Sequence, residues 1–401
     1  MAERSYQDWP FFDDGHRAHA AQLERWSAET LPGLLAQTED AGADVGATVT
    51  RLVRELGRAD LLRACVPAAY GGLRDEVDVR SLALARETLA RSSGLADFAL
   101  AMQGLGSAPV SLFGNAAQKA ALLPGVCRGE LLAAFALSEP DAGSDVGALS
   151  TTARRDGDGW VLDGVKTWIS NAGIADRYVI FARSEAGTRG SKGISAFIVD
   201  AGTPGLAADE PIPVIAPHPL GTVRLANCRV GGERLLGQPG DGFRIAMGTL
   251  DLFRTSVGAA ALGFARRALD EATRFAMARG MFGQTLADFQ LTQVRFGEMA
   301  TAIDASALMV YRSAWTRDVQ RRRVTREASM AKLYATEAAQ QVIDAALQLH
   351  GGRGVIAEQP VERLYREIRA LRIYEGATEV LQLIVGRQHL DAARAAAAPP
   401  A

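Results

Sequence analysis

Cysteine is scarce in this chain: Cys65, Cys127 and Cys228 are far apart and odd in number among 401 residues. Such a set builds neither a disulfide framework nor the paired spacing of a zinc site, and it points to a reducing compartment, the cytoplasm. A basic surplus is lacking as well. With 44 Lys and Arg against 46 Asp and Glu, a formal charge of −2 and no basic stripe, the chain lacks what a nucleic-acid backbone requires of a partner. No apolar stretch approaches the roughly 18–20 residues that cross a bilayer. The opening stretch, MAERSYQDWPFFDDGH, is acidic and aromatic where a secretory signal would be basic and then apolar. Neither membrane insertion nor export is expected.

Familiar catalytic signatures are missing too. There is no GxxxxGK[ST], HExxH or GxSxG. Gly351-Gly352-Arg353-Gly354 is not a GxGxxG, and it follows a helical pattern where a dinucleotide fingerprint follows a strand. The five histidines, His16, His19, His218, His350 and His389, are too dispersed to propose a metal site. Nicotinamide and metal chemistry both lose ground.

What is present is enough chain for more than one core, since a single core stops growing near ~250–300 residues. Hydrophobic content is 48%. From Asp13 to about Glu130 the apolar residues recur at helical spacing. Between Leu131 and Gly242 the texture changes to short β runs: Trp160–Leu162, Tyr178–Phe181, Ile194–Val199 and Val223–Val230. Asp156-Gly157-Asp158-Gly159 marks a hairpin. Long helical segments return at about 243–279, 289–319, 324–350 and 378–390, and the alanine-rich tail Ala392–Ala401 is expected to fray. The expected architecture is α+β: an all-α domain over 1–130, an antiparallel sheet or small barrel over 131–242, and a helical bundle over 243–401.

Three stretches could carry chemistry. In LSEPDAGSD (137–145) small residues leave the backbone free to approach a ligand, with Ser138, Ser144 and amide groups as donors, although an ordinary surface turn reads the same way. In KTWISNAG (166–173) Trp168 and Ser170 share a face if the backbone is extended, which suits a planar cofactor, although a lone strand Trp is more often core. In LRIYEGATEV (371–380) Glu375 stands at a helix entrance among apolar neighbours, where a structural, salt-bridged Glu is the default.

Together these stretches resemble the acyl-CoA dehydrogenase family of flavoproteins. The first family signature is matched by 137–145. The second is matched by Gln348-Leu349-His350-Gly351-Gly352-Arg353-Gly354 running through Arg363 and Arg366 to Tyr374-Glu375-Gly376, with Arg279-Gly280-Met281-Phe282-Gly283 and Gln290 between them. The resemblance, which runs from about Tyr70 to His389, implies FAD as cofactor. Contacts would come from Phe135, Leu137, Ser138, Gly143 and Ser144, with Trp168 flanking the ring and Ser170 at flavin N5. Arg279, Phe282, Gln290, Gln348, Gly351, Gly352 and Thr378 complete the implied set. Several of these reach the FAD of a neighbouring subunit in the family, which implies a homo-oligomer, commonly a tetramer.

The resemblance makes Glu375 the base that takes the α-proton of an acyl thioester, while the β-hydrogen leaves as hydride to flavin N5. The thioester carbonyl would be held by the ribityl 2′-hydroxyl and the Glu375 amide, because a carboxylate in water is far too weak to ionise that carbon unaided. Some members carry the base where this chain has Phe253, which cannot remove a proton. Met102, Ser144, Leu250, Asp251, Arg254, Tyr374 and Gly376 match positions around the substrate, the pair Asp251 and Arg254 lining the pantetheine end. Substrate and partner would be an acyl-CoA and an electron-transfer flavoprotein. Ala216–Thr222 departs from the family's polar segment at the substrate mouth, so an acyl-carrier-protein thioester stays open, as does an oxidase or hydroxylase on the same fold. Ala101, Met102 and Gly104 point to a small apolar pocket floor and an uncharged acyl group.

Overall fold

The computed structural model describes residues 5–39 and 44–397, which form two compact units. One is built from 25–78 and 95–250, the other from residues up to 24, 79–94 and 251 onward. The helices read before Glu130 are α1 (Asp14–Glu29), α2 (Leu31–Glu39), α3 (Val45–Arg58), α4 (Val79–Ser92), α5 (Gly94–Phe113) and α6 (Ala116–Cys127). Side chains set their ends: Asp44 accepts from the Gly46 amide at 2.8 Å to start α3, and Asn115 and Gln118 exchange the reciprocal bonds of a capping box to start α6.

The sheet holds β1 (Ala133–Ala136), β2 (Thr152–Asp156), β3 (Gly159–Ser170), β4 (Arg177–Arg183), β5 (Ile194–Asp200), β6 (Leu206–Ala208), β7 (Leu220–Val230) and β8 (Leu235–Leu236). Its order is β6-β7-β3-β2-β4-β5-β8, with β1 beside β4. The pairing is antiparallel except that β1 runs parallel to β4 and one residue pair joins β2 to β4 in parallel. The hairpin expected at 156–159 closes β2 on β3, Asp156 opposite Gly159. Strand β1, not anticipated from four residues of which three are alanine, is fixed by α5. The Gln103 amide group donates to Leu131 O at 2.7 Å and its oxygen accepts from Ala133 N at 3.2 Å. Gly106 lets this helix come so close that an added Cβ would lie 2.7 Å from the Ala133 backbone. The sheet core packs Trp160, Leu162, Ile169, Tyr178, Ile180 and Phe197 together.

The remaining elements are α7 (Gly242–Ala278), the ribbon β9 (Gly280–Met281) and β10 (Gln284–Thr285), α8 (Gln290–Asp318), α9 (Thr325–His350), α10 (Pro360–Leu371) and α11 (Thr378–Ala397). Helix α8 packs along α9, and α9 in turn carries α10 and α11. The tail expected to fray is helical as far as Ala397, and its last residues lie outside those described. No helix among the described residues is long and apolar enough to cross a membrane.

Candidate active site

In the sheet-containing unit, β1 leads straight into 137–145. Glu139 and Ala142 close a tight turn by exchanging backbone hydrogen bonds at 3.1 Å each way. The turn is tied to β3 from beneath. Lys166 Nζ donates to Leu137 O at 3.0 Å and to Glu139 Oε1 at 2.7 Å, and the Thr167 amide donates to Ser138 O at 3.1 Å. Glu139 also accepts from Ser150 N, Ser150 Oγ and Thr151 N at 2.6–3.0 Å. Burial alone would raise the Glu139 carboxyl, but the Lys166 ammonium and these donors hold it down to about 2. Lys166 is fully buried, and that burial pulls it down to about 8 against the pull of Glu139. A buried ion pair with every oxygen occupied makes a rigid floor; Ser138 is half-buried above it, and Gly143 and Ser144 are exposed.

Strand β3 is not extended through Trp168. The β3–β7 register slips between Lys166 and Ile169, and Trp168 has φ +59°, a conformation bulky L-residues avoid. The premise that placed Trp168 and Ser170 on one face therefore fails at Trp168. The bulge leaves Ile169 in the core and the indole 56% exposed, with Ser170 half-buried beside it. Phe135 packs on Phe181 with ring centres 5.0 Å apart, Leu137 is buried, Met102 is half-buried on α5 and Leu250 is buried on α7.

In the other unit, Glu375 occupies the turn between α10 and α11. It has φ +54° and Gly376 has φ +108°. Two buried cations hold this turn by successive carbonyls: Arg254 Nε donates to Glu375 O at 3.0 Å and Lys332 Nζ to Gly376 O at 2.6 Å. Arg254 is braced by Asp251 at 3.3 Å, and Asp251 accepts from Thr325 Oγ1 at 2.5 Å. Thr378 opens α11 with its hydroxyl on Glu337 Oε1 at 2.5 Å, a carboxylate that also takes Arg372. Tyr374 is 39% exposed, and Phe253 is buried in α7.

Burial lowers Lys332 to about 8, with Glu375 opposing and Arg254 reinforcing, and burial likewise lowers Arg254 against the carboxylates of Asp251 and Glu375. Lys332 was not singled out by sequence reasoning. Its signal was there, a lysine among Ala328, Ala331 and Ala335 on the apolar face of α9.

The third group lies apart from the turn. Arg279, Phe282 and Gln290 are exposed around the β9–β10 ribbon, Phe282 to 88% and with φ +49°. Gln348, Gly351 and Gly352 are exposed at the end of α9, where His350 stacks on Phe275 at 4.5 Å.

The chain matches three family models: Acyl-CoA dehydrogenase, N-terminal domain over 13–130, middle domain over 134–228 and C-terminal domain over 240–390. The chain belongs to the acyl-CoA dehydrogenase family. It is 39% identical over 337 residues to the 3-(aryl)acrylate reductase of Clostridium sporogenes, covering 83% of this chain and 88% of that protein. It is equally identical, 39% over 336 residues, to the human mitochondrial short-chain specific acyl-CoA dehydrogenase, covering 83% and 81%. Among solved structures, butyryl-CoA dehydrogenase from Megasphaera elsdenii superposes with a TM-score of 0.88 at 32% identity, over 94% of this chain and 99% of that one. The chain is thus an oxidoreductase of this family, and the family's cofactor is FAD. The residues present fit that group: an indole thrown out of the sheet at a strained φ offers an aromatic face, and the exposed residues Asp141, Gly143, Ser144 and Asp145 stand on a rigid base where their backbone can approach a ligand.

Proposed function

We propose that the protein is an FAD-dependent dehydrogenase of acyl thioesters, forming the 2-enoyl thioester with Glu375 as the α-proton base. The observation that carries this reading is the turn itself. A carboxylate is displayed at positive φ with two buried cations fixed on its flanking carbonyls, while the rival position holds the buried Phe253. A group that must meet a substrate atom within a fraction of an ångström needs such framing.

Trp168, Ser170, Ser138 and Ser144 would hold the cofactor. Bound FAD supplies the acceptor for the substrate's β-hydride. Glu375 takes the α-proton onto its carboxylate, and Arg254 and Lys332 keep that carboxylate ionised and in place. Met102 and the neighbouring small residues of α5 favour an uncharged acyl group. The exposed Arg279, Phe282, Gln290, Gln348, Gly351 and Gly352 support a homo-oligomer, read as a tetramer, in which one copy completes the FAD site of another. An electron-transfer flavoprotein is the proposed electron acceptor.

Glu375→Gln tests the base. Anaerobic reduction of an artificial acceptor is expected to fall by roughly 10²–10⁴ with FAD content unchanged, the span general-base catalysis supplies. Undiminished turnover would remove Glu375 from the role. Peroxide measured under air separates a dehydrogenase from an oxidase, and one acyl group offered on CoA and on acyl-carrier protein identifies the carrier.

A further inference from the structure

We infer that Lys332 is a positioning residue for the base: with Arg254 it locks the Glu375–Gly376 turn through two successive carbonyls, and its positive charge keeps Glu375 ionised. The inference rests on the reading of Glu375 as base.

The geometry comes first. Lys332 Nζ lies 2.6 Å from Gly376 O and Arg254 Nε lies 3.0 Å from Glu375 O, so the two peptide units after the Glu375 α-carbon are pinned from α9 and α7. The glutamate's φ of +54° is one a non-glycine residue seldom adopts unaided, whereas +108° at the next residue is open to glycine, which Gly376 supplies.

The choice of residue is the second argument. A carbonyl can be capped by a neutral donor at little cost, whereas placing an ammonium with no exposed surface inside a helix bundle is expensive. The charge is therefore what the site retains. The charged groups facing Lys332 are Glu375 on the turn, Arg254 on α7, Glu337 on its own helix and Arg372 at the end of α10. Glu337 is engaged by Arg372 at 2.8–2.9 Å and by Thr378, and Glu375 is the other carboxylate facing this ammonium.

The test uses the FAD-loaded enzyme and follows kcat and KM from pH 5 to 10 in wild type, Lys332→Gln, Lys332→Met and Lys332→Arg. Removing a nearby positive charge disfavours a carboxylate's ionised form, so both neutral variants should move the acid limb of kcat/KM up by about one pH unit. Their kcat should fall by roughly 10- to 100-fold as the turn loosens, with KM little changed. Lys332→Arg should keep the wild-type acid limb. A merely structural lysine would lower the amount of folded enzyme and leave the limb where it was. The inference is overturned if either neutral variant has the wild-type acid limb, or if both lose FAD while Lys332→Arg behaves as wild type. Glu375→Gln run alongside keeps the two readings apart: full turnover there removes the base, whereas inactivity there with an unshifted Lys332→Gln removes only the role of Lys332.

Discussion

At residue scale, the backbone marks the site as clearly as the side chains do. Eight non-glycine residues among those described have positive φ, and Trp168, Phe282 and Glu375 are among them. Each such position costs of order 1–3 kcal/mol, which the rest of the fold has to offset. The dihedral of Gly376 makes it irreplaceable for a similar reason, because a Cβ there would sit 3.0 Å from Leu381 and carry φ +108°. Gly376→Ala is therefore expected to lower stability by about 1–3 kcal/mol and to depress kcat more than KM, measured by thermal melting and steady-state kinetics. The break between helices that holds Glu375 was legible from its motif. The clamp was not, because Arg254 and Lys332 stand 121 and 44 positions from the carbonyls they hold, and contacts at that separation leave no local pattern.

At the scale of elements, β3 shows what a sequence can and cannot say. Its hairpin, its strand partners' apolar runs and its Lys-Thr-Trp segment were all legible, since turn residues and alternation are local. The slip of register against β7 is a property of two strands together and was invisible from one. The same holds for Glu139 and Lys166, read as parts of separate motifs and found as one buried pair. Glu139→Gln should cost about 3–5 kcal/mol by leaving Lys166 buried without its counter-charge. The pH dependence has a definite sign. Glu139 is held below its ordinary 4.5, at about 2, so its contribution is complete above pH 4.5 and is lost as the pH falls from there through 2. Acid melts of wild type and variant should converge over that window; parallel curves would rule out the pair as the source.

For the whole molecule, the helix–sheet–helix texture followed from length and periodicity, and the long segments near 243–279, 289–319 and 324–350 match α7, α8 and α9 closely. Surface chemistry carries what a single chain's periodicity does not. Met277, Phe282, Leu291, Val294, Val355 and Ile356 are all more than half exposed, Leu291 to 82%. That apolar surface is what the proposed homo-oligomer would cover. Leu291→Asp is expected to lower the mass seen by light scattering to that of a smaller assembly while the far-ultraviolet circular dichroism stays unchanged; an unaltered mass would place the subunit contact elsewhere.

The bulge at Trp168 also predicts how the protein should behave without its flavin. An exposed indole at positive φ contributes little packing and costs the apoprotein about 1–2 kcal/mol, and asparagine, which tolerates that backbone, would remove most of the cost. The melting curves of Trp168→Asn and wild type should therefore cross: stripped of FAD the variant melts higher, and saturated with FAD the wild type does. Cofactor binding in this protein would then be read as recovery of stability that the empty strand has given up.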